Sequence, residues 1–88
     1  MKVEFEKSFM RDLKKISSKV LLRQVKEVIK NVEDSENMNG LENLKRLKTD
    51  TSCFRIKVSD YRIGLKVKGE TIIFIRILHR KDIYRHFP

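Results

Sequence analysis

Two strand-like segments of the sequence, residues 53–58 and 61–67, alternate apolar side chains with basic ones. Because successive side chains of a strand point to opposite faces, Arg55 and Lys57 share one face of the first segment, and Arg62 has the matching parity in the second. Cations on a rigid sheet are held at fixed spacing, as a polyanion site or phosphoryl chemistry requires. The spacing therefore predicts a cationic sheet face that could bind phosphate.

Arg80 completes this candidate set. It follows the apolar run 72–78, and the chain direction there allows it to approach the face that carries Arg55, Lys57 and Arg62. Four such cations could surround a phosphate. An ordinary solvated sheet face explains the spacing equally well, so both interpretations stay open at this point.

Two amphipathic helices should precede these strands. Phe9, Leu13 and Ile16 recur at the i, i+4 and i+7 spacing of a helix. Ser18 can cap a second helix. The apolar stripe of that helix consists of Leu21, Val25, Val28, Ile29 and Val32. Because the connection between them is short, the two helices should form an antiparallel hairpin.

The remaining segments predict a sheet. Residues 3–5 alternate as a short first strand, and the run 71–78 is apolar on both parities, as in a central strand. Gly69 supplies the positive φ that a hairpin turn needs, and Asp82 could cap a final short helix. The predicted fold class is α+β: a helical hairpin on one face of a mainly antiparallel four-stranded sheet, with a short C-terminal helix, in a single domain of residues 1–88.

The segment before residue 53 is ambiguous. Residues 33–40 are polar and read as a surface loop. Leu41, Leu44 and Leu47 are spaced by three and fit one helical turn. A turn that runs into a short strand near residues 45–48 fits equally well.

Composition favours a polyanionic target. The chain has 88 residues and a net charge of +9, and residues 45–88 hold twelve Lys and Arg against four Asp and Glu, whereas residues 1–44 hold nine against eight. One cysteine excludes an internal disulfide, and one cysteine with two histidines is too few for a common structural zinc site. The charged N-terminal segment and the lack of a bilayer-length apolar run predict a cytoplasmic protein that enters no membrane.

The basic strands belong to a longer pattern. Residues 54–64 read Phe-Arg-Ile-Lys-Val-Ser-Asp-Tyr-Arg-Ile-Gly, and residues 79–85 read His-Arg-Lys-Asp-Ile-Tyr-Arg. With the apolar run 72–78 between them, these residues resemble the C-terminal signature of the RelE/ParE superfamily of toxins, which act in type II toxin-antitoxin pairs. The resemblance implies a microbial endoribonuclease that cuts mRNA in the ribosomal decoding site without a metal ion or other cofactor. In that family the 2′-hydroxyl attacks the adjacent phosphorus and leaves a cyclic phosphate and a free 5′-hydroxyl.

The resemblance also implies catalytic roles for four residues. Lys57 is the predicted base or proton-handling group, since neighbouring arginines would disfavour its charged form. Arg62 and Arg80 match the family's transition-state arginines and suit bidentate phosphate contact. Tyr84 matches a tyrosine that stacks on a base or assists proton transfer. Arg55 stands where close relatives often have lysine, and an arginine is effectively always protonated.

Substrate binding is predicted for the basic residues that surround this set, namely Arg55, Lys66, Lys81 and His79. An imidazole would suit acid-base work. However, a strand that turns Arg80 into the site turns His79 away, so packing or antitoxin contact is the alternative for His79.

Three functions are compatible with the sequence. The first is the ribosome-dependent mRNA interferase, which the joint presence of Lys57, Arg62, Arg80 and Tyr84 favours. The second is a ParE-like toxin that binds and inhibits DNA gyrase without cleaving RNA. The third is a plain nucleic-acid-binding module, or a toxin that keeps only antitoxin and operator binding. The predicted partners are a small acidic antitoxin, mRNA in the decoding site, and operator DNA bound by the toxin-antitoxin complex.

Overall fold

A computed structural model describes residues 1–38, 41 and 43–88 of the chain. Its elements follow the order β1 (Lys2–Phe5), α1 (Lys7–Lys14), α2 (Lys19–Asp34), β2 (Leu44–Arg46), β3 (Cys53–Val58), β4 (Tyr61–Lys68), β5 (Thr71–His79) and α3 (Ile83–His86). The predicted α+β class is confirmed, with α1 and α2 packed on one face of a sheet.

The sheet has the strand order β1-β5-β4-β3-β2. β1 pairs with β5 in parallel, and the other neighbours pair antiparallel, so the prediction of a mainly antiparallel sheet is confirmed. The predicted number of four strands is wrong, because the described residues form five. The additional strand is β2, whose three residues are too few to show a period of two; its pairing with β3 makes it a strand.

The segment that leads to β2 also differs in part from the prediction. α2 continues to Asp34, so the polar loop begins later than residue 33. A strand rather than a helical turn occupies Leu44–Arg46. Asn39, Gly40 and Glu42, which the predicted loop and turn include, lie outside the described residues.

Both helices bury their apolar faces against the sheet. The Ser18 hydroxyl accepts a hydrogen bond from the Leu21 N–H at 3.2 Å, which confirms the predicted N-cap of α2. α1 ends at Lys14, although Ile16 beyond it is still buried. The core joins the helical residues Phe9, Leu21, Val25 and Val32 to the strand residues Phe54, Ile56, Val58, Ile63, Leu65, Ile72, Phe74 and Ile77.

α1 replaces a strand along part of the edge of β5. β1 pairs with β5 only as far as Phe74. Beyond that point the Ser8 hydroxyl donates to the Ile75 carbonyl at 2.6 Å, and the Asp12 carboxylate accepts from the Ile77 N–H at 3.1 Å. Asp12 is only 5% exposed and also accepts two bonds from the Arg76 guanidinium, at 2.7 and 3.0 Å. The edge is therefore closed by side chains of a helix, which leaves fewer backbone groups open to another strand.

A second apolar cluster lies on the opposite face of the sheet, where α3 docks. Ile83 and Phe87 are buried there with Leu47 and Cys53. The Asp82 side chain does not cap α3 but accepts a bond from Arg85 at 3.1 Å. In the described part of the chain, no helix is long and apolar enough to cross a membrane.

Cys53 is expected to react slowly in the native protein. Its side chain is 2% exposed, and burial, followed by a hydrogen bond with Asp50, raises the pKa of its thiol. Because the thiolate is the nucleophile, we expect alkylation by iodoacetamide to be at least about 10-fold slower in native than in urea-unfolded protein. Mass spectrometry of timed samples measures both rates, and equal rates would contradict this burial.

Candidate active site on the open sheet face

The open face, defined as the side of the sheet away from α1 and α2, carries a cluster of cations. Lys57 on β3 lies directly opposite Arg62 on β4. Two residues along β3, Arg55 lies between Lys45 on β2 and Gly64 on β4. The Lys57–Arg62 pair and the neighbouring Lys45–Arg55 pair border a cavity of about 290 Å³. Its lining consists of Asn43, Lys45, Arg55, Lys57, Arg62 and Tyr84. The structure therefore brings together four of the residues that the sequence assigned to the site.

Arg62 is held in place by the turn between β3 and β4. Its Nη1 donates to the carbonyl oxygens of Ser59 at 3.1 Å and of Tyr61 at 2.9 Å. Ser59 turns the chain with a φ of +55°. Both bonds use the same nitrogen, so Nε and Nη2 still carry N–H groups that can donate to a phosphate.

Tyr84 reaches the site from α3. The Arg55 guanidinium carbon lies 4.6 Å from the centre of the Tyr84 ring, which is cation–π distance. Tyr84 is nevertheless 68% exposed. The ring is thus oriented by Arg55 while most of its surface stays open to a ligand such as a nucleobase.

Arg80 and Lys81 lie in the turn that follows β5. The Arg80 N–H donates to the Asp60 carbonyl at 2.8 Å, which places Arg80 at the same end of the sheet as the Lys57–Arg62 pair. Both residues are exposed. Neither is among the described residues that line the cavity.

His79 and Lys66 also lie apart from the cavity. His79 pairs with Tyr61 across β4 and β5, and their rings meet edge to face at 5.6 Å. Tyr61 packs against the core beneath the helices, so the His79 ring lies on the face opposite to Arg62. Lys66 also lies on the open face, but it pairs with Cys53. Cys53 is two residues from Arg55 along β3, on the side away from Lys57.

A larger cavity of about 660 Å³ lies on the other side of Lys57, between the end of α2 and β3. Its lining includes the carboxylates of Asp34 and Glu36, which would repel a phosphate. Size therefore does not decide between the two cavities. Charge favours the smaller one as the candidate site for an anion.

Comparison with known proteins identifies the family. A family model described as the ParE toxin of the type II toxin-antitoxin system parDE matches residues 3–84. The chain belongs to the RelE/ParE superfamily of toxins. It is 44% identical over 89 residues to the protein named Toxin RelE3 from Methanocaldococcus jannaschii, and the match covers 100% of both chains. The resemblance seen in residues 54–85 is confirmed.

Solved structures of RelE toxins share this fold. The toxin of the RelB-RelE antitoxin-toxin complex from Methanococcus jannaschii is 39% identical, with a TM-score of 0.82 over 97% of this chain and 99% of that one. The archaeal RelE-RelB complex from Pyrococcus horikoshii matches with a TM-score of 0.73 over 90% of this chain and 93% of that one, at 18% identity. The second likeness concerns the fold alone.

Two residues of the cavity were missed by sequence reasoning on this RelE/ParE toxin. Lys45 joins the site because β2 pairs with β3 and places it opposite Arg55. Asn43 accepts a bond from the Lys57 N–H at 3.1 Å through its carbonyl, and its φ of +60° is a conformation that asparagine tolerates better than most residues. The proposed short strand near residues 45–48 was the one signal in the sequence that could have identified Lys45.

The chemistry of the lining suits an anionic substrate. Four of the six described residues around the cavity are cations, and the other two are an amide and a phenol. None of these six is a carboxylate, thiolate or imidazole of the kind that commonly holds a metal ion. The set can donate hydrogen bonds to phosphate oxygens, stack on a base and, through Lys57, exchange a proton.

Proposed function

We propose that this toxin is an endoribonuclease that cleaves mRNA on the ribosome, in the cytoplasm, by attack of a 2′-hydroxyl on the adjacent phosphate. The observation that carries the proposal is the Lys57–Arg62 pair, placed beside Arg55 and Tyr84 around one cavity. A lysine can handle the proton of the attacking hydroxyl, and arginines can stabilise the charge that develops on phosphorus.

In the proposed reaction, residues at or near the cavity have defined roles. Lys57 accepts the 2′-hydroxyl proton as the 2′-oxygen bonds to phosphorus. Arg62 and Arg55 donate to the non-bridging oxygens of the phosphorane. The bond from phosphorus to the 5′-oxygen then breaks, that oxygen takes up a proton from solvent, and Lys57 returns its proton to solvent. Tyr84 stacks on a base beside the scissile phosphate, and Arg80, which is near Asp60, adds a phosphate contact from the neighbouring turn.

Purified ribosomes programmed with a defined mRNA provide the test. Addition of the toxin is expected to produce new 5′ ends within the codon that occupies the decoding site, and these ends should carry a hydroxyl rather than a phosphate. The matching upstream fragments should end in a cyclic phosphate. Intact mRNA in the presence of folded toxin would contradict the proposal.

Gyrase inhibition is the second candidate, and the match to a ParE family model favours it. The two activities are separable in cells, because gyrase poisoning produces DNA breaks while messages stay intact. Brief expression followed by mapping of mRNA 5′ ends and of DNA breaks distinguishes them.

An acidic antitoxin is the proposed protein partner. The 39%-identical toxin occurs in a complex described as RelB-RelE, and this chain carries a net charge of +9, which a negatively charged partner would complement. We further propose that the resulting complex binds operator DNA. Co-expression of the toxin with a small acidic protein encoded by a neighbouring reading frame, followed by co-purification, tests the pairing.

The salt dependence of RNA binding should show whether RNA contacts the residues that line the cavity. Replacing Lys45 with glutamine removes one cation from the lining of the cavity. The slope of log binding constant against log salt concentration for a single-stranded RNA should therefore become less steep by about 0.7. Filter binding or anisotropy between low and moderate salt measures that slope. Lys30→Gln on the exposed face of α2 removes the same charge elsewhere and should leave the slope unchanged. Equal effects of the two variants would place the RNA elsewhere.

A further inference from the structure

The ring of Phe87 occupies the space above Gly64. A Cβ atom built on Gly64 would lie only 2.6, 2.7 and 2.8 Å from three ring carbons of Phe87. Such distances are far inside van der Waals contact, so no larger residue fits at position 64 while the ring keeps its place. Gly64 has no positive φ, and space for the ring is therefore what glycine provides here.

Glycine at position 64 is expected to lower the stability of β4, so its presence there calls for a structural explanation. Gly64 is buried inside β4, where glycine weakens a strand and often marks a close approach. Its partner in the pairing with β3 is Arg55. The Phe87 ring on Gly64 and the Tyr84 ring on Arg55 thus lie side by side, above directly paired residues of two neighbouring strands.

Phe87 is also one of the two anchors of α3. The helix is a single turn of four residues, too short to be stable without packing. Ile83 is 0% and Phe87 5% exposed, whereas Tyr84 between them is 68% exposed. The Phe87 N–H donates to the Ile83 carbonyl at 2.9 Å, so the two anchors and the backbone of Tyr84 form one unit.

We propose that Phe87, seated on Gly64, is a positioning residue that holds Tyr84 over Arg55. The catalytic part of this proposal rests on the proposed function, in which Tyr84 stacks on a base beside the phosphate. The ring of Phe87 touches no reacting atom and acts by fixing where α3 lies on the sheet. A shift of about 1 Å in a substrate-positioning group can cost on the order of 100-fold in rate.

A double-mutant cycle with the full-length toxin tests the proposal. Gly64→Ala should push the Phe87 ring away and lower the single-turnover rate of mRNA cleavage about 10- to 100-fold, with RNA affinity changed much less. Phe87→Leu keeps an apolar anchor that can move aside. In that background Gly64→Ala should change the rate by less than about twofold, since an added methyl group no longer meets the ring.

The Gly64→Ala substitution is also made in Tyr84→Ala protein, to test whether its loss of cleavage rate depends on Tyr84. In Tyr84→Ala protein, Gly64→Ala should cause no further loss beyond about twofold, because two residues that act as one unit are not additive. An undiminished loss there would overturn the proposal. Phe5→Leu, the same substitution at a half-exposed ring on β1, should leave the rate unchanged.

A readout independent of cleavage separates this proposal from the proposed function. Nuclear Overhauser contacts between the Tyr84 ring and the Arg55 side chain should be present in the wild-type toxin and lost in Gly64→Ala. They should return in Gly64→Ala/Phe87→Leu. If the wild-type toxin cleaves no RNA, the proposed function fails while these contacts still decide the positioning role, and contacts that persist in Gly64→Ala overturn it.

Discussion

Replacing Lys57 with arginine is expected to lower the single-turnover rate of mRNA cleavage by about 100- to 10,000-fold, the range typical of losing a general base. Arginine keeps the positive charge and similar reach, but it stays protonated at any pH at which the protein folds. A residue that only attracted phosphate would tolerate this exchange. A residue that must accept a proton would not.

Single-turnover assays on programmed ribosomes measure this rate, with Lys57→Ala as the reference for complete loss of the side chain. Lys57 is exposed, so neither substitution should change stability by more than about 0.5 kcal/mol. Lys68→Arg is the matched control, since Lys68 is also exposed and lies at the other end of β4. Retention of most of the activity in Lys57→Arg would show that Lys57 acts through its charge, and the search for the base would move to other groups.

Replacing Asp12 with alanine should have the largest effect on stability. Its carboxylate receives the Arg76 guanidinium and the Ile77 N–H, and the side chain of Asp12 is 4% exposed whereas that of Arg76 is 26% exposed. Removal of one partner of a largely buried ion pair costs about 3 kcal/mol or more, because the other charge is left unpaired. For a domain of this size that corresponds to a fall in Tm of roughly 12–24 °C.

Thermal and urea unfolding of the purified toxin test this expectation. Asp12→Asn should destabilise less than alanine, because an amide oxygen can still accept from the Ile77 N–H. The control is Arg85→Ala, which breaks the exposed Asp82–Arg85 pair with side chains 46% and 74% exposed; exposed pairs contribute about 0–1 kcal/mol. Equal shifts for Asp12→Ala and Arg85→Ala would show that the edge contact of α1 adds little.

Most of the fold could be predicted because its elements carry strong local signals. The apolar stripe from Leu21 to Val32 defines α2, and the alternation from residue 53 onward defines β3 and β4. Two features lacked a decisive local signal, although a short strand near residues 45–48 was one of the two alternatives for the segment that contains β2. β2 depends on pairing with β3, and the partnership of Asp12 with Arg76 joins residues that are 64 positions apart, so both arise only from tertiary contacts.

The site could be predicted only where side-chain parity determines position. Arg55, Lys57 and Arg62 share a face because strands alternate, and pairing of β3 with β4 then brings Lys57 opposite Arg62. No comparable alternation predicts which way the side chains of turn residues point. The positions of Arg80 and Lys81 depend on how the chain leaves β5, and the contribution of Phe87 depends on the absence of a side chain at Gly64, which no periodic pattern reveals.

The parallel pairing of β1 with β5 has a consequence for biosynthesis. Domains emerge from the ribosome N-terminal end first, so β1 and the core ring of Phe9 are made long before their partners in β5. The pairing of Lys2 with Thr71 and of Phe5 with Phe74 cannot form until β5 has been translated. Until β5 has been made, the nascent chain therefore lacks both a complete core and the finished sheet that carries Lys57 and Arg62.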